Sequence, residues 1–222
     1  FVLRERLKLA KENARAVPIN LEIIKQFTGN LPFLLTDAQK KSAWQILQDM
    51  KKPRPMNWLL EGDVGSGKTV VAAMAALNAV KAGFQVAFLA PTEILAKQHH
   101  RTITQLLEKF DIRIGLITGK ENYVAGKKLT RKELVKEALS GGIDILIGTH
   151  AIIQDYYPST PKKTPVQFNK LALVVIDEQH RFGTEQRAKL CRPSSRGKQK
   201  DFIPHLLSMT ATPIPRTLSL TV

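Results

Sequence analysis

The stretch Gly62-Asp63-Val64-Gly65-Ser66-Gly67-Lys68-Thr69 limits what this chain can fold into more than any other. It follows the short apolar run Trp58-Leu59-Leu60 and precedes an apolar, helix-forming run from Val70 to Val80. Strand, glycine loop, helix is the context in which G-x-x-x-x-G-K-S/T serves as a phosphate-binding loop. A triphosphate needs many donors close together, so backbone N–H groups must approach it with no Cβ in the way. Gly62, Gly65 and Gly67 permit such a path. The loop opens a helix whose first N–H groups are unpaired and carry partial positive charge. Lys68 is placed to reach the β- and γ-phosphates, and Thr69 to offer its hydroxyl to Mg²⁺. The alternative, a glycine turn that matches by chance, is disfavoured by the strand and helix on either side.

A loop of this kind needs a sheet behind it, and the remaining pattern supplies one. Apolar runs at Gln85–Ala90, Arg113–Ile117, Ile143–Ile147, Leu171–Ile176 and Pro204–Met209 read as short buried strands. Helical stretches separate them: Ala38–Lys51 with Thr36 or Asp37 as cap, Pro91 to about Lys109, Lys132–Leu139, and Glu185–Leu190 after Thr184. Upstream, Phe1–Ala16 reads as a charged amphipathic helix ended by Pro18, and a second helix covers Asn20–Phe27. Lys120–Arg131 and Arg192–Lys200 are basic, lack apolar runs and read as mobile loops, and Tyr157–Asn169 has the proline content of a loop. Alternation of strand and helix predicts an α/β domain, a mostly parallel sheet with helices on both faces. Ligands in such sheets bind at the carboxyl ends of the strands. The glycine loop, Asp177-Glu178, Thr149-His150 and Thr210-Ala211-Thr212 all fall at such ends.

Asp177 and Glu178 close the most apolar of these runs. In a chain with a phosphate loop, the first acid is placed to hold Mg²⁺ and the second to polarise an attacking water. Two adjacent buried acids with no cation would be costly. His99 and His100 are neighbours on a helix and diverge, and no Cys/His ligand spacing occurs. Charge adds a partner class. Lys and Arg number 34 against 19 Asp and Glu, a formal net charge of +15. Either the surface is simply solvated and basic, or it meets a polyanion, of which nucleic acid is the commonest. The single Cys191 excludes an internal disulfide and suits a reducing compartment. No apolar run approaches the roughly 20 residues needed to span a bilayer.

Taken in order, these pieces resemble the first motor domain of the superfamily-two DExH helicases, a RecA-like P-loop NTPase domain, over about Leu31–Leu220. The likeness rests on the glycine loop with Val70-Val71-Ala72, and on Ala90-Pro91-Thr92-Glu93-Ile94-Leu95-Ala96. Gly148-Thr149-His150-Ala151-Ile152-Ile153-Gln154, Ile176-Asp177-Glu178-Gln179-His180-Arg181-Phe182-Gly183 and Met209-Thr210-Ala211-Thr212-Pro213-Ile214-Pro215-Arg216-Thr217-Leu218 complete it. Within that class it is similar to the bacterial helicases of branched DNA. Transcription-repair coupling translocases share the last motif, while Gln179 and Ser66 favour the former.

The resemblance implies ATP and Mg²⁺ as cofactors and DNA, branched or forked, as partner. It implies that Gln39, with Phe33 or Leu34, holds adenine, that Gly62–Thr69 hold phosphates, and that Thr69 and Asp177 bind Mg²⁺. Lys68 and Glu178 would be the catalytic pair, with Glu178 as base. His180, Thr210 and Thr212 would couple nucleotide state to DNA contact. Pro91, Thr92, Thr118, Gly119, Thr149 and His150 would lie along the DNA backbone. It also implies a monomer in the bacterial cytoplasm, a connector over residues 1–30 leading from a wedge domain, and a second motor domain carrying an arginine finger, the wedge and second motor both outside this chain. The missing initiator Met and the apolar end, Ser219-Leu220-Thr221-Val222, lead to the same expectation of an excised piece. Two other classes compete. A nucleotide-gated binding module would have no use for Glu178, and a P-loop kinase or transporter ATPase needs neither Thr210-Ala211-Thr212 nor so high a charge.

Overall fold

A computed structural model describes residues 13–149, 152, 166–178 and 202–211. Among the described residues eight strands form one sheet: β1 (Asn57–Glu61), β2 (Gln85–Leu89), β3 (Ile114–Ile117), β4 (Asn122–Val124), β5 (Lys127–Lys128), β6 (Ile145–Gly148), β7 (Leu171–Asp177) and β8 (His205–Thr210). Their spatial order is β1-β8-β7-β2-β6-β3-β4-β5. The first six in that order pair in parallel, and β4 and β5 add an antiparallel edge. The helices are α1 (Leu21–Gly29), α2 (Asp37–Met50), α3 (Lys68–Lys81), α4 (Glu93–Leu106) and α5 (Arg131–Ser140).

Local chemistry sets the helix ends. Asn20, Thr36, Thr92 and Thr130 cap α1, α2, α4 and α5, each accepting a backbone N–H from three residues on. In α2 and α5 the third residue, Gln39 or Glu133, reaches back to the cap's own N–H and closes a capping box. Gly83 and Gly141, both at φ near +80°, release α3 and α5 into the following strands.

Alternation along the strands sends side chains to two cores. Val86, Phe88, Leu173, Val175, Leu207 and Met209 pack with α1 to α4 on one face. Ala87, Leu89, Val174, Ile176 and Leu206 pack with Leu134 and Ala138 of α5 on the other. Helix α3 is buried from Val70 to Ala79, as its nearly unbroken apolar sequence requires. The buried amide of Gln85 joins strand to helix: Nε2 donates to Ala138 O and Ile143 O, and Oε1 accepts from Asn169 N and Lys170 N.

Two expectations are corrected. The amphipathic helix does not extend through Ala16: residues 13–20 have no helical backbone, and the expected part from 1 to 12 lies outside the described residues. Instead Ala14 N donates to Pro53 O, Val17 N to Met50 O and Ile203 N to Asn13 O, with Ala14 and Val17 buried. Bonds to the body of the domain replace those a helix would make to itself. The basic stretch from Lys120 is not wholly a loop but contains the β4–β5 hairpin, turned by Ala125 (φ 48°) and Gly126 (φ 78°). Positive φ at both central positions matches the twist of a two-residue hairpin, and alanine at the first of them hides the turn from sequence. The expected helix Glu185–Leu190, the basic stretch Arg192–Lys200, Cys191 and most of Tyr157–Asn169 lie outside the described residues.

Candidate functional site

The carboxyl ends of all six parallel strands lie along one edge of the sheet, held in step by register: Glu61 beside Thr210, Asp177 beside Met209, Leu89 beside both Ile176 and Gly148, and Ile117 beside Gly148. The glycine loop leaves β1 at this edge. Gly62 continues the ladder by donating to Thr210 O, and Ser66 N closes a turn onto Asp63 O. Gly65 and Gly67 have φ of 83° and 81°, where a side chain would be strained. A Cβ on Gly62 would meet Ser66 Oγ, and one on Gly67 would run into the Gln39 amide. Gly67 is also the N-cap of α3, which has no side-chain cap, unlike α1, α2, α4 and α5. Val70 N donates to Gly67 O, and no side chain caps the N–H groups of Lys68 and Thr69, which face the place an anion would take. Val64 at the loop's crest is 91% exposed.

Lys68 Nζ donates to Gly62 O at 2.6 Å and Asp63 O at 2.9 Å, folding its ammonium over the loop. Gln39 Nε2 donates to Ser66 O at 2.8 Å while its Oε1 accepts from Thr36 N. The residue expected to hold adenine is thus already fastened to the phosphate loop. Phe33 and Leu34, just before α2, are 46% and 95% exposed.

Asp177 ends β7 and is nearly buried, and Glu178 follows with φ 54°. A left-handed backbone on a residue with a Cβ costs roughly 1–2 kcal/mol. Such strain persists where the surroundings fix a side chain's direction. The aspartate has a partner that sequence reasoning passed over. Its Oδ2 lies 2.7 Å from His99 Nε2 of α4, and both side chains are nine-tenths hidden, at 12% and 11% exposure. The neighbouring His100 turns away, and burial pushes its imidazole below the ordinary value against a backbone hydrogen bond at Ile114. Nothing in the spacing of residues 99 and 177 signals the pair; only a parallel sheet that sets β2 beside β7 brings it together.

Thr69 and Asp177 offer a hydroxyl and a carboxylate, the hard oxygen donors that Mg²⁺ takes. Among the described residues no group of three or more His, Cys, Asp or Glu could hold a metal alone. A cation here would draw its remaining ligands from phosphates and water, which is the usual manner of Mg²⁺ at phosphoryl-transfer sites. The donor set therefore fits that ion.

The other half of the edge carries the candidate nucleic-acid contacts. Thr92 is exposed and spends its hydroxyl capping α4 at Leu95 N, and Pro91 precedes it half-buried. Thr118 is only 2% exposed, with its Oγ1 bonded inside the turn to Lys120 N, Glu121 N and Glu121 O. Gly119 is exposed, and its N–H donates to Glu93 Oε1 at 3.0 Å. Lys97 of the same helix meets Glu121 at 2.6 Å. Thr149 sits at the end of β6, and Thr210 ends β8, buried. His150, His180 and Thr212 lie outside the described residues. No described helix is long and apolar enough to cross a membrane.

A phosphate loop, an acid pair two strands away and a row of polar turns beyond it, all on one edge of a parallel sheet, define a helicase motor domain. The chain belongs to the DEAD/DEAH box helicase family, whose sequence model matches residues 36–221. Its relatives include the ATP-dependent DNA helicases RecG. That of Bacillus subtilis is 50% identical over 201 residues, 90% of this chain and 26% of the relative. That of Synechocystis sp. is 46% identical over 201 residues, 90% of this chain and 22% of the relative. The chain thus spans about a quarter of the length of these curated relatives. A solved structure of RecG bound to a three-way DNA junction superposes with a TM-score of 0.77 at 39% identity, covering 98% of this chain and 26% of that one. A hypothetical ATP-dependent RNA helicase from Sulfolobus tokodaii, at 20% identity and TM-score 0.57 over 86% of this chain and 50% of that one, shares the fold.

Proposed function

We propose that this chain is the nucleotide-binding half of an ATP-dependent helicase or translocase acting on branched DNA, such as forks and Holliday junctions, in recombination and repair. The observation that carries this reading is the uncapped N-terminus of α3, with Lys68 folded over its loop, on the same sheet edge as Asp177-Glu178. The likeness to RecG at 42–50% identity supplies the substrate class. Gly62–Thr69 cradle the phosphates through backbone N–H groups. Lys68 exchanges its bonds to Gly62 O and Asp63 O for phosphate oxygens. Gln39 and Phe33 hold adenine. Thr69 Oγ1 and Asp177 would hold Mg²⁺, which when bound would supply positive charge against the charge that develops on the phosphates. Glu178 orients the attacking water and takes its proton. Pro91, Thr92, Thr118, Gly119, Thr149 and His150 track the DNA backbone, and His180, Thr210 and Thr212 relay the nucleotide state.

A longer protein holding both motor domains tests the chemistry. Lys68→Ala should abolish nucleotide binding or weaken it greatly, because it removes the cation facing the β- and γ-phosphates. Glu178→Gln should keep binding and stop turnover, because the amide preserves shape and loses basicity. Normal hydrolysis by Glu178→Gln would remove the base assignment. An arginine supplied from outside the domain is worth roughly 10³–10⁵ in rate. The chain alone should therefore bind nucleotide and hydrolyse it slower by that order. Stimulation of the longer protein by a three-way junction over linear duplex and RNA supports the substrate assignment; equal stimulation by RNA removes it.

A further inference from the structure

Strand order divides the sheet edge into two halves. β1, β8 and β7 carry the residues assigned to nucleotide, and β2, β6 and β3 carry those assigned to DNA. The pair His99–Asp177 crosses the line between them. Asp177 terminates β7, while His99 lies on α4, whose first turn holds Thr92 and the Glu93 carboxylate bonded to Gly119 N. A carboxylate that serves as a metal ligand only accepts, so with Asp177 in that role His99 Nε2 is the donor to Oδ2. The imidazole is held on its other side by Phe88, ring centroids 4.8 Å apart at 45°.

A helix-to-sheet anchor is the plain account of this pair, and the packing argues against it. Helix α4 is already fixed by Ala96 and Ile103, both fully buried in the larger core, with Leu107 just beyond at 2% exposure. A buried polar pair adds little stability where apolar packing suffices. What the bond does fix is which carboxylate oxygen is used. With Oδ2 engaged by His99, Oδ1 is the oxygen available to a cation.

We propose that His99 is a positioning residue for the Mg²⁺ ligand Asp177, holding Oδ2 so that Oδ1 meets the nucleotide-bound cation, and that it makes α4 the link between the DNA-facing turn and the metal site. This rests on the reading of Asp177 as the ligand. Donors behind metal ligands typically change metal affinity by about 10- to 100-fold.

The test measures binding rather than turnover. A fluorescent ATP analogue is titrated with Mg²⁺ on the 222-residue chain, as wild type and as His99→Phe, His99→Gln and Asp177→Asn. Phenylalanine keeps the ring against Phe88 and removes the donor. Glutamine places an amide N–H near the position of Nε2. His99→Phe should raise the Mg²⁺ concentration for half-saturation by about 10-fold or more, leave binding in EDTA unchanged, and be largely rescued in His99→Gln. Should the phenylalanine variant not fold, His99→Ala against His99→Gln makes the same comparison. Unchanged Mg²⁺ dependence in His99→Phe, with a raised value in Asp177→Asn, overturns the role of His99. Equal loss with and without Mg²⁺ also overturns it and leaves a structural anchor. Unchanged Mg²⁺ dependence in Asp177→Asn overturns the ligand assignment beneath it.

Discussion

At the scale of single residues, His205 shows how one neutral side chain joins three segments. Its Nδ1 accepts from Met56 N at 3.1 Å, and its Nε2 lies 2.9 Å from Arg15 O, so one tautomer satisfies both neighbours. Burial pushes its imidazole below the ordinary value, against weaker upward pulls from the Arg15 carbonyl and Asp49. A histidine depressed in the folded state is protonated first in the unfolded chain as pH falls. The folded state keeps its full stability above the unfolded value of about 6.5 and loses it progressively below. His100 shifts the same way and adds to the same window. Urea unfolding between pH 7.5 and 5.5 should show a loss of at most about 1.4 kcal/mol per pH unit for each group. His205→Gln should lower stability at pH 7.5 and flatten that slope. An unchanged slope would show that His205 does not titrate with unfolding.

Among the elements, the β4–β5 hairpin is where local preference and fold disagree most. Ala125 sits at φ 48° ahead of Gly126 at 78°, because Val124 and Lys127 must pair across two residues. Asparagine tolerates that conformation, and Asn-Gly is the favoured pair for such a turn. Ala125→Asn should raise unfolding stability by about 0.5–1 kcal/mol, relieving part of the left-handed penalty. A lower urea midpoint would mean that the turn has another geometry in solution. The glycine loop shows the opposite case. Its conformation agrees with its sequence, since Gly65 and Gly67 occupy positive φ and Gly67 leaves α3 uncapped.

For the whole molecule, charge is the property that matters most to a partner. An excess of +15 over 222 residues makes attraction to DNA phosphates largely independent of base sequence. Binding of labelled duplex to the chain should weaken linearly on a log–log plot against salt. A flat plot would remove the electrostatic argument and leave the strand-end turns without their assigned role. At the same scale, the parallel strands are covered on both faces, by α1 to α4 on one side and α5 on the other.

Neighbouring residues alone announce the glycine loop between β1 and α3, the acids closing β7, the parallel strands and all five described helices. Each of these is written in neighbouring residues: Gly67-Lys68-Thr69, the apolar run into Asp177, the threonine caps. The sequence misread residues 13–16, whose helical periodicity yields to backbone bonds with Pro53 and Met50. It missed the hairpin because alanine rarely takes positive φ. No neighbouring residues announce that Gln39 grips the glycine loop, that Gln85 ties α5 to the segment entering β7, or that His99 faces Asp177 across 78 residues. Such contacts depend on strand order, and strand order is settled by packing two faces of one sheet at once, which no local pattern records.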